Sequence, residues 1–261
     1  MSDDVYVHRG GADQGDTVVL VHGAGGDHTT WRFQTRWLAA RGFRVLAPDL
    51  PGHGATAGSA VATIEEGARW LADLIAAEGM PPVTLAGNSM GALMAIETGA
   101  TRPDLVDALV LVGCSPRMAV HPQLLDAADE DLDRAAALMA GWMMPTAFAG
   151  GHPEPGTWEH GAAHRLISRS GEGVLATDLK ACHAYDATAA AGRIAIPTLI
   201  VSGSDDRMAA RRGAEDLAGL ISGAEVVRME GTGHEPMIQA PRRFNSVIER
   251  FLASCGKASV R

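Results

Sequence analysis

The stretch Val83-Thr84-Leu85-Ala86-Gly87-Asn88-Ser89-Met90-Gly91-Ala92-Leu93-Met94, VTLAGNSMGALM, changes character at its middle. Before Ser89 the residues form a short apolar run, the pattern of a strand buried on both faces. After it come small apolar residues that suit a buried helix. The pattern predicts a strand, a sharp turn and a helix, with one serine at the corner and a glycine two positions to either side. A serine in such a corner holds strained backbone angles and lifts its hydroxyl above the sheet. Larger side chains at Gly87 or Gly91 would collide with neighbouring elements. The helix start beyond adds free backbone N–H groups and the positive end of a dipole, a favourable place for an anion. Ser89 is therefore the candidate nucleophile. A plain turn serine is the bland alternative, and the strand–turn–helix context argues against it.

Similar apolar runs recur on both sides of this corner, at 17–23, 43–50, 108–113, 197–206 and 224–230, each ending in or running into Gly, Pro or Asp. Between them lie helical patterns: Ile64, Ala68, Leu71 and Ile75 recur at spacings of three and four, and Val247, Ile248, Phe251 and Leu252 form a stripe in a helix predicted around 237–253. Alternating strands and helices imply an α/β fold, a mainly parallel sheet with helices on both faces. From about 115 to 193 no core strand is evident. This stretch holds a long helical piece ending in Trp142, Met143 and Met144, a Gly/Pro/His-rich link, GGHPEPG, and two more helical pieces. It is too long for a simple loop. The expected organisation is a core of 1–114 and 194–261 with a helical cap, 115–193, inserted between two strands and not folding independently.

Composition narrows the function. Charged residues make up 20% of 261 and the formal net charge is −9, with no Lys/Arg block, so a nucleic-acid surface is not expected. Cys114, Cys182 and Cys255 are far apart and odd in number, which suggests neither a disulfide framework nor a thiolate zinc site. The first ten residues, MSDDVYVHRG, do not read as a secretory signal, and no apolar run reaches membrane-spanning length, so a cytoplasmic protein is expected. The oligomeric state is not legible.

A serine hydroxyl needs a base, and the base needs a carboxylate to fix its tautomer. Among ten histidines, His234 lies in GTGHEPM, between the last strand run and the last helix, at the sheet edge where such folds present functional groups. The run PTLIVSGSDDRM ends in Asp205 and Asp206, and adjacent residues on extended chain point apart, so one of the two faces His234. Negative charge developing on an attacked carbonyl calls for backbone donors. Met90 N–H is one, and the small residues of VLVHGAGGDHTTW supply the other, with Ala24 favoured. That loop is no dinucleotide fingerprint, because the third glycine position is His28.

HGAGG (22–26), PDLPGHG (48–54), GNSMG (87–91), GSDD (203–206) and GTGHEPM (231–237) together resemble the α/β-hydrolase superfamily, in its serine esterase-like branch, over nearly the whole chain except the cap. The resemblance implies a Ser…Asp…His order with Asp206 as the acid, supports Ala24 as an oxyanion donor, and gives Asp49, Gly52, His53 and Gly54 a structural role. A serine nucleophile speaks against relatives that open epoxides or remove halide. The implied activity is cofactor-independent hydrolysis of a small-molecule carboxylic ester through an acyl-enzyme. Carbon–carbon hydrolysis of ring-fission products, lactone hydrolysis and a receptor that binds without turnover are the alternatives. Trp142 and Met143 of the cap either pack it onto the core or line the substrate pocket, and His28 either touches substrate or belongs to a helix start with Asp27. His160 and His164 share a helix face but lack a third ligand, so no metal site is expected. Cys182 and His183 are adjacent and would point about 100° apart on a helix, so they are not a catalytic pair.

Overall fold

The computed structural model describes residues 5–79, 82–145, 158–209 and 212–257. Its strands are β1 Val7–Gly10, β2 Thr17–Val21, β3 Arg44–Pro48, β4 Val83–Asn88, β5 Val106–Val112, β6 Thr198–Gly203 and β7 Glu225–Met229. The helices are α1 Arg32–Ala39, α2 Ile64–Ala77, α3 Met90–Thr101, α4 Pro122–Glu130, α5 Leu132–Met143, α6 Glu159–Ile167, α7 Val174–Ala184, α8 Thr188–Ala191, α9 Gly213–Ala218, α10 Pro236–Gln239 and α11 Pro241–Ser254. One sheet runs in the order β1-β3-β2-β4-β5-β6-β7, and all neighbours are parallel except β1 against β3.

Alternation along each central strand divides the core between the two faces of the sheet. Val19, Val21, Leu85, Leu109, Leu111 and Ile200 pack with α2, α3 and α9 on one side. Val18, Leu20, Ala86, Val110, Val112, Leu199 and Val201 pack with α1, α10 and α11 on the other. Because both faces are covered, the strands read as unbroken apolar runs. Thr63 caps α2 by accepting from Glu66 N, and Glu66 reaches back to Ala62 N, which fixes where that helix begins.

Two features depart from the sequence reading. The antiparallel edge strand β1 has the sequence VHRG and is largely half-buried, so it carries no apolar run to detect. The final helix is two helices: Ala240 turns out of helical geometry (φ −141°, ψ 59°) before Pro241, whose ring suits the first position of α11 and not a helix interior.

Helices α4 to α8 fill the interval between β5 and β6. α4 to α7 share an apolar cluster of their own, including Leu124, Met139, Met143, Ile167, Leu175 and Leu179. Further along, Cys182, Ala187 and Ala190 join the core cluster around α3, so the inserted segment is rooted on the sheet domain at its C-terminal end. The GGHPEPG link lies outside the described residues. Among the described residues, no helix is long and apolar enough to cross a membrane.

Candidate active site

Ser89 stands at the corner between β4 and α3, with φ 53° and ψ −117°, and among the described residues it alone of the non-glycines has positive φ. Its N–H donates to Val112 O on the neighbouring strand at 2.8 Å, and its own carbonyl accepts from Ala92 and Leu93. The flanking glycines are required by contact, not by φ. A Cβ on Gly87 would land on the Gly91 carbonyl, and one on Gly91 would lie 2.5 Å from His22 O and 2.6 Å from Val21 O. Backbone cannot yield there as a flexible side chain could. Gly23 completes the approach, since its Cβ would stand 3.2 Å from Ser89 Cβ.

His234 lies in the loop between β7 and α10 and is 2% exposed. Its Nδ1 is 2.9 Å from Asp206 Oδ2, while Asp206 Oδ1 accepts from Met208 N at 2.8 Å and Ala209 N at 3.1 Å. Asp205, the neighbour left open by the spacing, turns away: its Oδ1 accepts from the Ser204 hydroxyl. Burial lowers the His234 pKa, but the Asp206 charge and hydrogen bond outweigh it, so the net shift is upward. Asp206 shows the converse: burial raises its pKa, and the His234 charge and hydrogen bond with two N–H donors leave it below the ordinary carboxylate value. With Nδ1 engaged by Asp206, Nε2 is the nitrogen left for the cavity. Gly113 permits this placement, since a Cβ there would lie 3.0 Å from His234 Nδ1.

Ser89 and His234 line one cavity of ≈ 140 Å³ together with Gly23, Ala24, Asn88 and Glu235. The Ser89 hydroxyl has no hydrogen-bond partner among the described residues, so it is free to meet a ligand there. The side chain of Met90 is fully buried in the core, which leaves only its backbone at the corner. Neither Met90 N–H nor Ala24 N–H finds an acceptor among the described residues, whereas Gly25 N donates to Asp178 and Gly26 N to Gly23 O. The cap contributes Met139, Met143 and Met144 and, from α6, Ala163, Leu166 and Ile167, so most of the far wall is apolar.

Two expected pocket residues lie elsewhere. Trp142 is absent from the lining; it projects from α5 on another side from Met143 and meets the His121 ring edge-on at 5.6 Å. Successive helical residues point about 100° apart, and of this pair it is Met143 that turns to the cavity. His28 also lies outside the lining, because Asp49 Oδ1 holds both its N–H and its Nδ1, at 2.7 and 2.8 Å, and its ring stacks on His8. Asp27 caps the short turn His28–Trp31 by accepting from Thr29 N. Asp27, His28 and Asp49 bring candidate ligand atoms within 4.8 Å of one another, but both Asp49 oxygens already accept protein N–H groups. His164 reaches Asp133 at 3.2 Å and His160 stacks on Trp158, so the cap histidines have other partners.

Sequence reasoning passed over a buried clamp behind the Ala24 loop. Asp178, on α7, accepts from Gly25 N at 2.9 Å and from His53 Nε2 at 2.8 Å through the same oxygen, Oδ2. His53 Nδ1 is 3.0 Å from Pro51 O. A carbonyl and a carboxylate oxygen flank the ring, an arrangement that favours donation from both ring nitrogens and hence the cationic imidazole. Burial opposes that charge, but the hydrogen bond and charge of Asp178 prevail and the pKa is raised. His22 beside it is the opposite case: Nε2 accepts from Leu50 N, Nδ1 donates to Gly23 O, and burial with the nearby His53 pushes its pKa down to about 3. The available signal for the clamp was Asp178 itself, an acid at helical spacing with Leu175, Leu179 and Cys182 on a buried stripe. Glu235 was missed in the same way, as the unremarked neighbour of His234.

Known proteins share this arrangement at the level of the chain. The profile described as the alpha/beta hydrolase family matches residues 18–247. An uncharacterized protein of Mycobacterium tuberculosis is 30% identical, the match spanning 92% of this chain and 76% of that one. The (E)-2-((N-methylformamido)methylene)succinate hydrolase of Acinetobacter baylyi is 26% identical over 97% of this chain and 96% of its own. Among solved structures, a thermophilic esterase from Thermogutta terrifontis superposes with a TM-score of 0.84 at 27% identity, covering 96% of this chain and 93% of the esterase. An esterase from Exiguobacterium antarcticum gives 0.86 at 21% identity over 95% of both chains, a likeness of fold. With the family profile spanning residues 18–247, the chain belongs to the alpha/beta hydrolase family.

Proposed function

We propose that the protein hydrolyses small carboxylic esters through Ser89, His234 and Asp206. The observation that carries this reading is the strained corner that aims Ser89 into the cavity bordered by His234, whose far nitrogen is held by Asp206 at 2.9 Å. Ser89 Oγ attacks the ester carbonyl while His234 Nε2 takes its proton. The carbonyl electron pair moves to oxygen, which lies between the Ala24 and Met90 N–H groups. Collapse of this tetrahedral species expels the alcohol, protonated by His234, and leaves Ser89 acylated. Water, deprotonated by the same nitrogen, then attacks the acyl group and releases the acid. Asp206 keeps the imidazole in register and stabilises its charged form. The reaction draws on protein groups and water alone.

The methionine-lined wall and the modest cavity support a small, largely apolar substrate. The test is covalent labelling with a fluorophosphonate followed by peptide mass mapping, beside turnover of a chain-length series of p-nitrophenyl esters, a lactone and a ring-fission diketone. The expected result is a single adduct on Ser89, ester turnover exceeding that of the diketone, and loss of both label and turnover in Ser89→Ala. An adduct on another residue, or ester turnover untouched in Ser89→Ala, overturns the proposal.

A further inference from the structure

Glu235 is 6% exposed and forms part of the cavity wall next to His234. Its backbone carbonyl accepts from Ile238 and Gln239, but its carboxyl group enters no hydrogen bond or ion pair with any described residue. The side chain is thus almost wholly withdrawn from solvent, has no partner among the described residues, and has the cavity beside it. Burying a carboxyl this way is unfavourable unless a donor completes it, and the open direction is the one from which a ligand comes.

We infer that Glu235 is the recognition point for a protonated amine on the substrate, a specificity that rests on the hydrolase reading above. A carboxylate can only accept, so its partner must donate, and an ammonium supplies both the donor and the compensating charge. The other cationic side chain at the cavity, Arg32, is exposed, with its guanidinium over the Phe33 ring, 4.6 Å from the centroid. It therefore leaves the buried carboxyl uncovered. The groups acting on Glu235 are His234 and Arg32, which favour its charged form, and Glu159, which opposes it; burial dominates and raises its pKa to about 7. A docked ammonium favours the carboxylate, so preference for the amine strengthens as pH rises through that value while an aliphatic amine stays protonated.

The experiment uses isosteric pairs: 3-(dimethylamino)propyl butyrate against 4-methylpentyl butyrate, and ethyl 4-(dimethylamino)butyrate against ethyl 5-methylhexanoate, covering the alcohol and acyl sides. kcat/KM is measured by acid release at about pH 6 and about pH 8. In at least one pair the wild type is expected to favour the amine by about tenfold or more at the higher pH, with a smaller preference at the lower. Glu235→Gln is expected to lose that preference, the ratio of kcat/KM within each pair falling to about one. Equal rates within both pairs, or a preference unchanged in Glu235→Gln, overturn the assignment while ester hydrolysis stands. Calorimetric binding of the corresponding amine-bearing and alkyl ketones, in which CH2 replaces the ester oxygen, to Ser89→Ala separates the two readings. A Glu235-dependent preference for the amine there supports the recognition site even if no ester is turned over, and equal affinities refute it.

Discussion

Removing the Asp178 side chain tests how much the buried clamp contributes. Asp178→Ala leaves two buried donors, Gly25 N–H and His53 Nε2–H, without their acceptor. A buried donor deprived of its partner costs about 1–3 kcal/mol, so the pair gives about 2–6 kcal/mol. Counted instead as a buried ion pair broken at one end, the loss is about 3–5 kcal/mol. Asp178 Oδ1 already lacks a partner, and deleting that oxygen returns part of the cost, which places the expectation near the lower end, about 3 kcal/mol. Against a total stability of about 5–15 kcal/mol for a domain, that is a large fraction. The pH dependence follows from His53. Its folded pKa is raised above the unfolded value, so its contribution is complete below the unfolded value of about 6.5 and is lost as pH rises through the folded one. The gap between wild type and variant is therefore wider at about pH 6 than at about pH 9. Urea unfolding followed by circular dichroism at both pH values measures it, with Asp178→Asn retaining an acceptor for Gly25 and giving an intermediate loss. A loss under about 1 kcal/mol, or a gap that ignores pH, would refute the reasoning.

Three further outcomes are expected. Ser89→Gly relieves the positive φ and should raise stability by about 1 kcal/mol in thermal unfolding while abolishing ester turnover; a less stable variant would contradict the strain argument. Asp206→Asn should lower kcat by up to about 10⁴-fold with little change in KM, whereas Asp205→Asn should stay near wild type; steady-state kinetics on one chromogenic ester compares them, and equal effects would reassign the acid. Glu235→Gln should be more stable than wild type at about pH 8 but not at about pH 4: the folded pKa near 7 exceeds the ordinary 4.5, so wild type loses stability between those values, by about 3 kcal/mol at most. Denaturant midpoints at the two pH values decide it.

How far the sequence could be read follows from what each residue responds to. The strands β2 to β6 announce themselves because their surroundings, helices above and below, demand continuous apolar sequence, whereas β1 answers only to an edge and carries no such mark. The corner at Ser89 is legible in part because one steric demand is local: Gly87 meets the backbone of the turn itself, whereas Gly91 meets the carbonyls of Val21 and His22 at the end of β2. Separating Asp206 from Asp205 depends on which side chain reaches a loop 28 positions on, so spacing left both possible and three-dimensional contact distinguishes them. The choice left open at Trp142 has the same root. Size and apolarity nominate a pocket residue, but helix phase decides which neighbour faces inward, and that phase is set by how α5 lies on the core. Asp178 and His53 are 125 positions apart, so no local pattern could join them.

The carbonyl of Met143, the last residue of α5, accepts the backbone N–H of His234 at 2.9 Å and the Gln239 side chain at 3.1 Å, and a side chain at Gly233 would strike it. The loop that carries His234 is therefore moulded on the inserted segment, while Asp178 ties the same segment to the loop of Ala24. Such an insertion is not an interchangeable cassette. Grafting another relative's cap onto this sheet would replace the far wall of the cavity and, in the same stroke, cut two supports of the loops that hold His234 and Ala24. New substrate ranges in this scaffold are reached more readily by exchanging side chains on α5 and α6 than by swapping the segment whole, and a successful graft would have to carry over the Met143 carbonyl and the Asp178 carboxylate as fixed points.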